Sequence, residues 1–455
     1  MPLTERPRIN MMSHRIFNRH DRLFPGGLRL PDAKDIVAMG IVKKIQDMKQ
    51  EMTRWRQKLH QDPELAFEEK RTMRFITRQL EDFGIDVHPL TKTGVVGVLH
   101  GKNGPGGKAI MLRADMDGLP IHEKTGAVHS SRNDGVMHAC GHDGHMAMLL
   151  GAAKHLAQSK DFDGTVYFVF QPAEEHVGGA QEMIKQGLFT KFPADEVYGM
   201  HNYPGLPLGT MATGPGPMLA ASEDFDIVVR GKGGHTSRAD NTTDVLGAAA
   251  EVALAFKEIA KKEIPATATA TLTVTALSTQ GDASNVLPDT AKITGTLRTF
   301  DEKLHARLTD EMIRVVDETE AKYGVLIDFD LRAGYPVLVN EKNATAFAID
   351  VAKDTVGDAQ VITPVPPTLG TEDFAFYLQH KPGNYIALGT GKPGAKDYQD
   401  IHSAKYDFND AALPIGASYW VNLVEKALPL LNPPLPTDGT APAAAATKPP
   451  AAPKP

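Results

Sequence analysis

Four short runs in the first half of the chain, VVGVLHG, AIMLRAD, TVYFVFQP and EVYGMHN, read as strands. The run GHMAMLLGAAKHLAQ lies among them and has helical character. Alternation of this kind predicts an α/β layer around a largely parallel sheet. Helical periodicity also begins near Asp35 and continues through Trp55 and Leu59. A second helix is predicted from Glu68 to Phe83, with Gly84 as its C-cap.

The character changes near Ala220. SEDFDIVVRG alternates like a half-exposed strand, and TDVLGAAAEVALAFKEIAKK is an amphipathic helix. ATATLTVTALS and AKITGTLRTF follow as strands, then a helix from Asp301 to about Tyr323 and the strand VLIDFDLRAG. The order β-α-β-β-α-β is the split-βαβ, ferredoxin-like pattern and predicts a separate α+β domain inserted into the first. After Tyr335 the buried-strand pattern returns in NYIALGTG, and a last helix covers about Ala411 to Leu428. The expected division is an N-terminal extension (1–34), a catalytic α/β domain in two pieces (35–219 and 335–432), the insertion (220–334) and a tail (433–455).

The extension carries Arg6, Arg8, Arg15, Arg19 and Arg22 without the apolar core of a secretion signal. An organelle transit peptide is one reading of it. A ragged extension or an over-long start is the blander one, since Met11, Met12 and Met39 could each initiate. The Pro/Ala/Thr-rich tail from Thr437 has little to bury and is expected to be disordered.

A net charge of −7 argues against a nucleic-acid partner, which needs a basic face. No uninterrupted apolar stretch approaches the ~18 residues of a membrane span, so no membrane partner is expected either. Cys140 is the sole cysteine, so no disulfide can form within the chain and its sulfur is inert, reactive or metal-bound. The expected location is the cytoplasm.

In open α/β sheets, ligands bind beyond the carboxyl ends of the strands. AIMLRA runs into Asp115 and Asp117, TVYFVFQP into Glu174 and Glu175, and EVYGM into His201. NYIALG precedes a loop carrying His402, and the turn feeding the helix after Gly144 carries His138, Cys140, His142, Asp143 and His145. Imidazole, carboxylate and thiolate are ligands of first-row metals, and hydrolytic metal sites keep a position open for water. Adjacent carboxylates such as Glu174 and Glu175 point differently on a loop, so one can ligate while the other moves protons. Singly, each feature has a bland reading: an isolated Glu-Glu pair is usually solvated surface, and a lone cysteine is usually a small buried hydrophobe. His122, His129, His155 and His176 read as surface histidines, and His60 with Asp62 as a helix end. Two other functions compete. One makes Cys140 a nucleophile with a histidine as base; the other is a non-catalytic metal- or peptide-binding protein on the same fold.

RADMDGLPI, MHACGHDGHMAMLLGAA, FQPAEE, GMHN, GKGGH, NVLP, GTLRTF, TEDFAFYL and YDFND, in that order, resemble the motifs of peptidase family M20, in its amidohydrolase branch of hippurate hydrolases, N-acyl-amino-acid amidohydrolases and indole-acetyl-amino-acid hydrolases. The resemblance spans about Ile45 to Leu428. It implies a phosphorylase/hydrolase-like catalytic domain and a smaller lid domain through which such chains form homodimers. It places two divalent metal ions (Mn²⁺ or Zn²⁺, with Ni²⁺ or Co²⁺ as alternatives) on Cys140, His142, Glu175, His201 and His402. Glu174 is then the general base toward a metal-bridged water, and Asp117 orients a ligand. From the lid, His235 resembles the group that polarises the scissile carbonyl, often across the dimer, while Asn285 and Arg298 resemble groups that hold a substrate carboxylate. The implied substrate is a small N-acyl amino acid; a dipeptidase or aminopeptidase of the same architecture is the alternative. One departure stands out. The family usually shows Pro-His four and five residues after Gly-Gly-His and then Asp-Pro, where this chain has Ala239–Asp240 and then Asp244–Val245.

Overall fold

The computed structural model describes residues 40–175, 178–281, 283–391 and 398–430. The N-terminal extension, the start of the first predicted helix, His176 and the Pro/Ala-rich tail lie outside the described residues. The predicted helix containing Trp55 is Lys49–Gln61, preceded by the short Lys43–Asp47, and the second is Lys70–Asp82. Gly84 follows it in the left-handed conformation (φ 76°), as expected of a C-cap glycine.

In chain order the first strands are β1 (Asp86–Leu90), β2 (Gly94–His100), β3 (Ala109–Asp115), β4 (Thr165–Gln171), β5 (Glu196–Pro207) and β6 (Met211–Ala212). β7 (Gly216–Leu219) leads to the insertion, which holds β8 (Ala221–Arg230), β9 (Gly234–His235), β10 (Ala270–Thr279), β11 (Val286–Leu287), β12 (Thr290–Thr299) and β13 (Leu326–Ala333). The chain returns with β14 (Leu338–Asn340), β15 (Val361–Ile362) and β16 (Gly383–Gly391). The large sheet has eight strands in the order β1-β2-β4-β3-β5-β16-β6-β15. Its centre, β4-β3-β5-β16, is parallel throughout. β3 and β4 are buried at every residue, as their apolar runs require.

The run VVGVLHG departs from the parallel expectation. β2 pairs antiparallel with both β1 and β4, because a tight turn at 91–93 folds β1 and β2 into a hairpin. Helices cover both faces. Against one lies His142–Ser159, flanked by Lys49–Gln61 and by Leu413–Ala427, and the core there includes Met148, Leu149, Phe168 and Trp420. A second apolar cluster with Val169, Met183 and Phe374 covers the other face.

The inserted segment forms its own antiparallel four-stranded sheet, order β10-β12-β8-β13. Two helices, Val245–Glu263 and Glu302–Tyr323, pack on it around a core of its own that includes Phe225, Phe256, Ile293 and Leu308. This is the ferredoxin-like arrangement read from the sequence. The insertion leaves and re-enters the large layer at a single crossing: Ser222 N donates to Tyr335 O (3.0 Å) and Gly334 N to Ser222 O (2.9 Å). A Cβ on Gly334 would lie 2.5 Å from Ser222 Oγ and 2.8 Å from its carbonyl oxygen, so the close approach of the two strands requires glycine there.

Candidate metal centre

Five chain segments deliver polar side chains to the carboxyl edge of the parallel strands. β3 ends at Asp115, with Asp117 two residues on. After β4 the chain turns through Ala173 (φ 57°) and presents Glu174 and Glu175. β5 carries His201, and the loop beyond β16 carries His402, itself at φ 64°. Cys140 precedes Gly141 (φ 95°), which opens the helix that starts at His142. A Cβ on Gly141 would lie 2.2 Å from Asn202 Oδ1, so the turn that aims Cys140 and His142 at β5 can only be made by glycine.

All five prospective ligands meet here. Cys140 Sγ lies 3.4 Å from His201 Nε2, His142 Nε2 is 3.8 Å from Glu175 Oε1, and His402 Nε2 is 3.5 Å from Glu175 Oε2. Asp117 fixes the turn: its two oxygens accept the main-chain N–H groups of Glu174 and Glu175, each at 3.0 Å. His142 Nδ1 donates to Asp117 O (2.9 Å) and His201 Nδ1 to Asn202 O (2.7 Å). Both rings therefore turn Nε2 inward, and in the neutral form that nitrogen is the unprotonated one. A backbone hydrogen bond of this kind selects the metal-binding tautomer of a histidine.

The electrostatics call for a cation. Burial, with Glu372, Glu175 and Asp373 adding repulsion, pushes the Glu174 carboxyl well above the ordinary range. Burial and the two neighbouring glutamates push the Cys140 thiol up. Burial, then His145, lowers His201 to about 3. Burial alone would lower His142, but Asp115, Asp117 and Glu175 outweigh it and raise it to about 10. His142 Nε2 and Glu175 Oε1 are buried with no hydrogen-bond partner. Ligand atoms of Cys140, Glu175 and His402, and separately of His142, Glu174 and Glu175, lie within 4.8 Å of one another. Orphaned buried atoms with thiolate, imidazole and carboxylate chemistry fit divalent transition-metal ions.

Behind this edge lies a polar network that the sequence reading did not assign. Arg113 is buried; it donates to Asp115 (2.6 Å), Glu372 (2.9 Å), Asp373 (2.8 Å) and Gln171 (2.9 Å). Asp115 accepts from His145 Nδ1 (2.6 Å), whose Nε2 accepts the main-chain N–H of Asn202 (3.0 Å). His145 is thereby bonded at both ring nitrogens, and β5 is fixed at the residue after His201. The motif TEDFAFYL held the signal for Glu372 and Asp373, and Asp115 and His145 stood at the predicted edge. Arg113 opens RADMDGLPI, which gave no sign of its partners. His155, read as a surface histidine, is 6% exposed in the face of its helix that packs on the core. His60 is fully buried, with Nδ1 2.8 Å from Asp143. His129 is half-buried, with Nε2 3.0 Å from Asp407.

A cavity of about 660 Å³ opens over the edge, lined by Cys140, Glu174, Glu175, His201 and His402 and, from the insertion, by Arg298. Arg298 spends one N–H on Leu369 O (2.8 Å) and keeps its other donors. Met218, Leu219 and Val365 make an apolar wall. His235 and Asn285 are not part of this lining. They lie side by side on the exposed β9–β11 ladder, where Thr236 N donates to Asn285 O (3.1 Å).

The model for peptidase family M20/M25/M40 matches residues 111–426. The chain belongs to this family. Members similar to it include hippurate hydrolase of Campylobacter jejuni, 37% identical over 86% of this chain and 100% of the relative. N-acetyl-L-cysteine deacetylase of Bacillus subtilis is 38% identical over 83% of this chain and 87% of the relative. Among solved structures, a dinuclear metal-binding M20 peptidase from Bacillus subtilis superposes with a TM-score of 0.70 at 31% identity, covering 84% of this chain and 99% of the other. An M20 member with this edge is a hydrolase of linear amides. No helix among the described residues is long and apolar enough to cross a membrane.

Proposed function

We propose that the chain is a metal-dependent amidohydrolase that cleaves the amide bond of small N-acyl amino acids, whether hippurate-like, N-acetyl or aryl-acyl. The observation that carries this reading is the pair of orphaned buried atoms, His142 Nε2 and Glu175 Oε1, at the centre of five converging ligands with Glu174 beside them. Cys140, His142, Glu175, His201 and His402 would hold two divalent ions. The thiolate favours softer ions such as Zn²⁺, Ni²⁺ or Co²⁺, with Mn²⁺ as the alternative supported by the resemblance. Bound there, the ions supply Lewis acidity and a more acidic water.

The remaining chemistry belongs to side chains. Glu174 is the base: its raised proton affinity suits it to take a proton from water in the cavity and return it to the leaving amine nitrogen. Asp117 holds Glu174 and Glu175 in register through their main-chain N–H groups. Arg298 offers a planar fork to the substrate carboxylate, with Asn285 as its companion. His235 Nδ1 accepts the N–H of Ser237 (3.1 Å), so its neutral ring carries the proton on Nε2, ready to donate to the scissile carbonyl oxygen. His235 and Asn285 lie outside the cavity of their own chain, and so we assign them to the site of a second copy in a homodimer joined through the insertion. The division at 220 and 334 into catalytic and lid domains belongs to this reading. So does a cytoplasmic location, where a lone thiol stays reduced.

The test is hydrolysis of hippurate and a panel of N-acetyl amino acids and dipeptides by chelator-stripped protein, with and without added Mn²⁺, Zn²⁺, Ni²⁺ or Co²⁺. Activity should vanish on stripping and return with metal, and acyl amino acids should outpace dipeptides. Glu174→Gln should lower kcat by roughly 10²–10⁴-fold with metal content retained. Activity that survives stripping and dies on thiol alkylation would instead make Cys140 the nucleophile.

A further inference from the structure

Tyr335 is the first residue of the large layer after the insertion, and its side chain lies in an unusual place. Its hydroxyl donates to the main-chain carbonyl of Glu174. The ring also faces Gly178, where a Cβ would lie 3.6 Å from Tyr335 Cε1. One side chain thus holds the turn that presents Glu174 and Glu175. The ring is fixed edge-on against Phe376, with centroids 6.1 Å apart at 79°. The main chain of Tyr335 belongs to the crossing, paired with Ser222 through Ser222 N (3.0 Å) and Ser222 Oγ (3.3 Å). Tyr335 also lines both the 660 Å³ cavity over the metal edge and a second cavity of about 500 Å³ in the crook of the crossing.

We propose that Tyr335 is a positioning residue: it ties the Glu174–Glu175 turn to the crossing from the inserted layer, so that the orientation of the base follows the position of the lid. The turn needs such a tie. Asp117 holds it from the side of β3, and the Ala173 N–H is held by Glu69 (3.0 Å), yet the Glu174 carbonyl is bound by neither. The hydroxyl of Tyr335 meets it. A rotation of the inserted layer about the Ser222–Gly334 contact moves the Tyr335 main chain directly, because no side chain intervenes at the glycine. Substrate held by Arg298 on the same layer would then draw base and substrate into register together.

This inference rests on Glu174 being the base, and the experiment separates the two. Tyr335→Phe keeps the ring against Phe376 and removes only the hydroxyl. In the metal-loaded protein, hydrogen exchange in the peptide spanning 172–180 should rise by about tenfold, with exchange in the helix 142–159 and the inserted sheet unchanged. In turnover, kcat should fall by about 10- to 100-fold, with KM and bound metal as in the parent. Phenylalanine that leaves exchange and kcat unaltered overturns the proposal. Loss of metal or a broad drop in thermal stability also overturns it, since Tyr335 would then be a structural support only. If the exchange changes as expected while the parent hydrolyses none of the amides, the assignment of substrate and base is what fails.

Discussion

A guanidinium surrounded by three carboxylates is stable in the interior only as long as every partner stays. Arg113 is 1% exposed and answers Asp115, Glu372 and Asp373 at once. Replacing Arg113 with Met leaves buried negative charge without its counter-charge, which in other proteins costs about 3–5 kcal/mol. The midpoint of urea unfolding should fall accordingly. Arg113→Lys should recover little, because an ammonium cannot serve Gln171, Asp115 and the Glu372–Asp373 pair from one point. A parent-like midpoint for the methionine variant would refute this account. At this scale the sequence was legible where chemistry sits at strand ends: all five prospective ligands were nameable from the edge rule and the motifs together. Arg113 opens one of those motifs, but its partners were not legible, because an arginine inside an apolar strand gives no sign of them and two lie 259 and 260 residues further on.

The helices Lys49–Gln61 and His142–Ser159 are joined by a buried ion pair as well as by packing. His60 Nδ1 meets Asp143 at 2.8 Å while Nε2 faces Glu123 at 3.4 Å. Burial would lower the imidazole, but Asp143 and then Glu123 outweigh it and push His60 up to about 9. Its ordinary value is 6.5, so folding takes up a proton between 6.5 and about 9. The stabilisation is complete below the lower value and is lost as pH rises through the upper one, a change on the order of 3 kcal/mol. His60→Gln should therefore lower Tm strongly at pH 6 and weakly at pH 9.5. Equal losses at the two pH values would mean that the histidine stays neutral. Sequence periodicity located both helices, yet His60 read as a mere helix end, since the pairing of two helices far apart in sequence is set by tertiary packing. The same limit hid the antiparallel hairpin of β1 and β2. It also hid the two-residue strands β6 and β15, which are too short to leave a periodic trace.

Across the whole molecule, the decisive question is where His235 acts. If it serves the partner's site, Glu174→Gln and His235→Ala variants, each inactive alone, should complement when mixed and allowed to exchange subunits. Half the pairs are then mixed and each has one intact site, so about a quarter of the parent rate should return, by the statistics of a two-fold dimer. No recovery would place His235 in its own chain's reaction. The two-layer architecture and the inserted sheet were both legible, because the hydrophobic period changes visibly near Ala220. The position of the β9–β11 ladder relative to the cavity was not, since it depends on how two layers meet and leaves no local pattern.

The crossing at Ser222 and Gly334 has a consequence for descent and engineering. Departure and return points are hydrogen-bonded neighbours, so the insertion is topologically one long surface loop, and long loops cost a fold little in closure entropy. Such a cassette can be lost, exchanged or lengthened by a single recombination event without breaking a rung of the eight-stranded sheet. A few residues of glycine and serine joining 221 to 335 should leave a foldable remnant that keeps its metal edge and Tyr335. It would keep the metal ligands and the base and lose the carbonyl donor and the reader of the substrate, and this separation lets one metal-holding layer be fitted to many acyl amino acids by changing what is plugged into it.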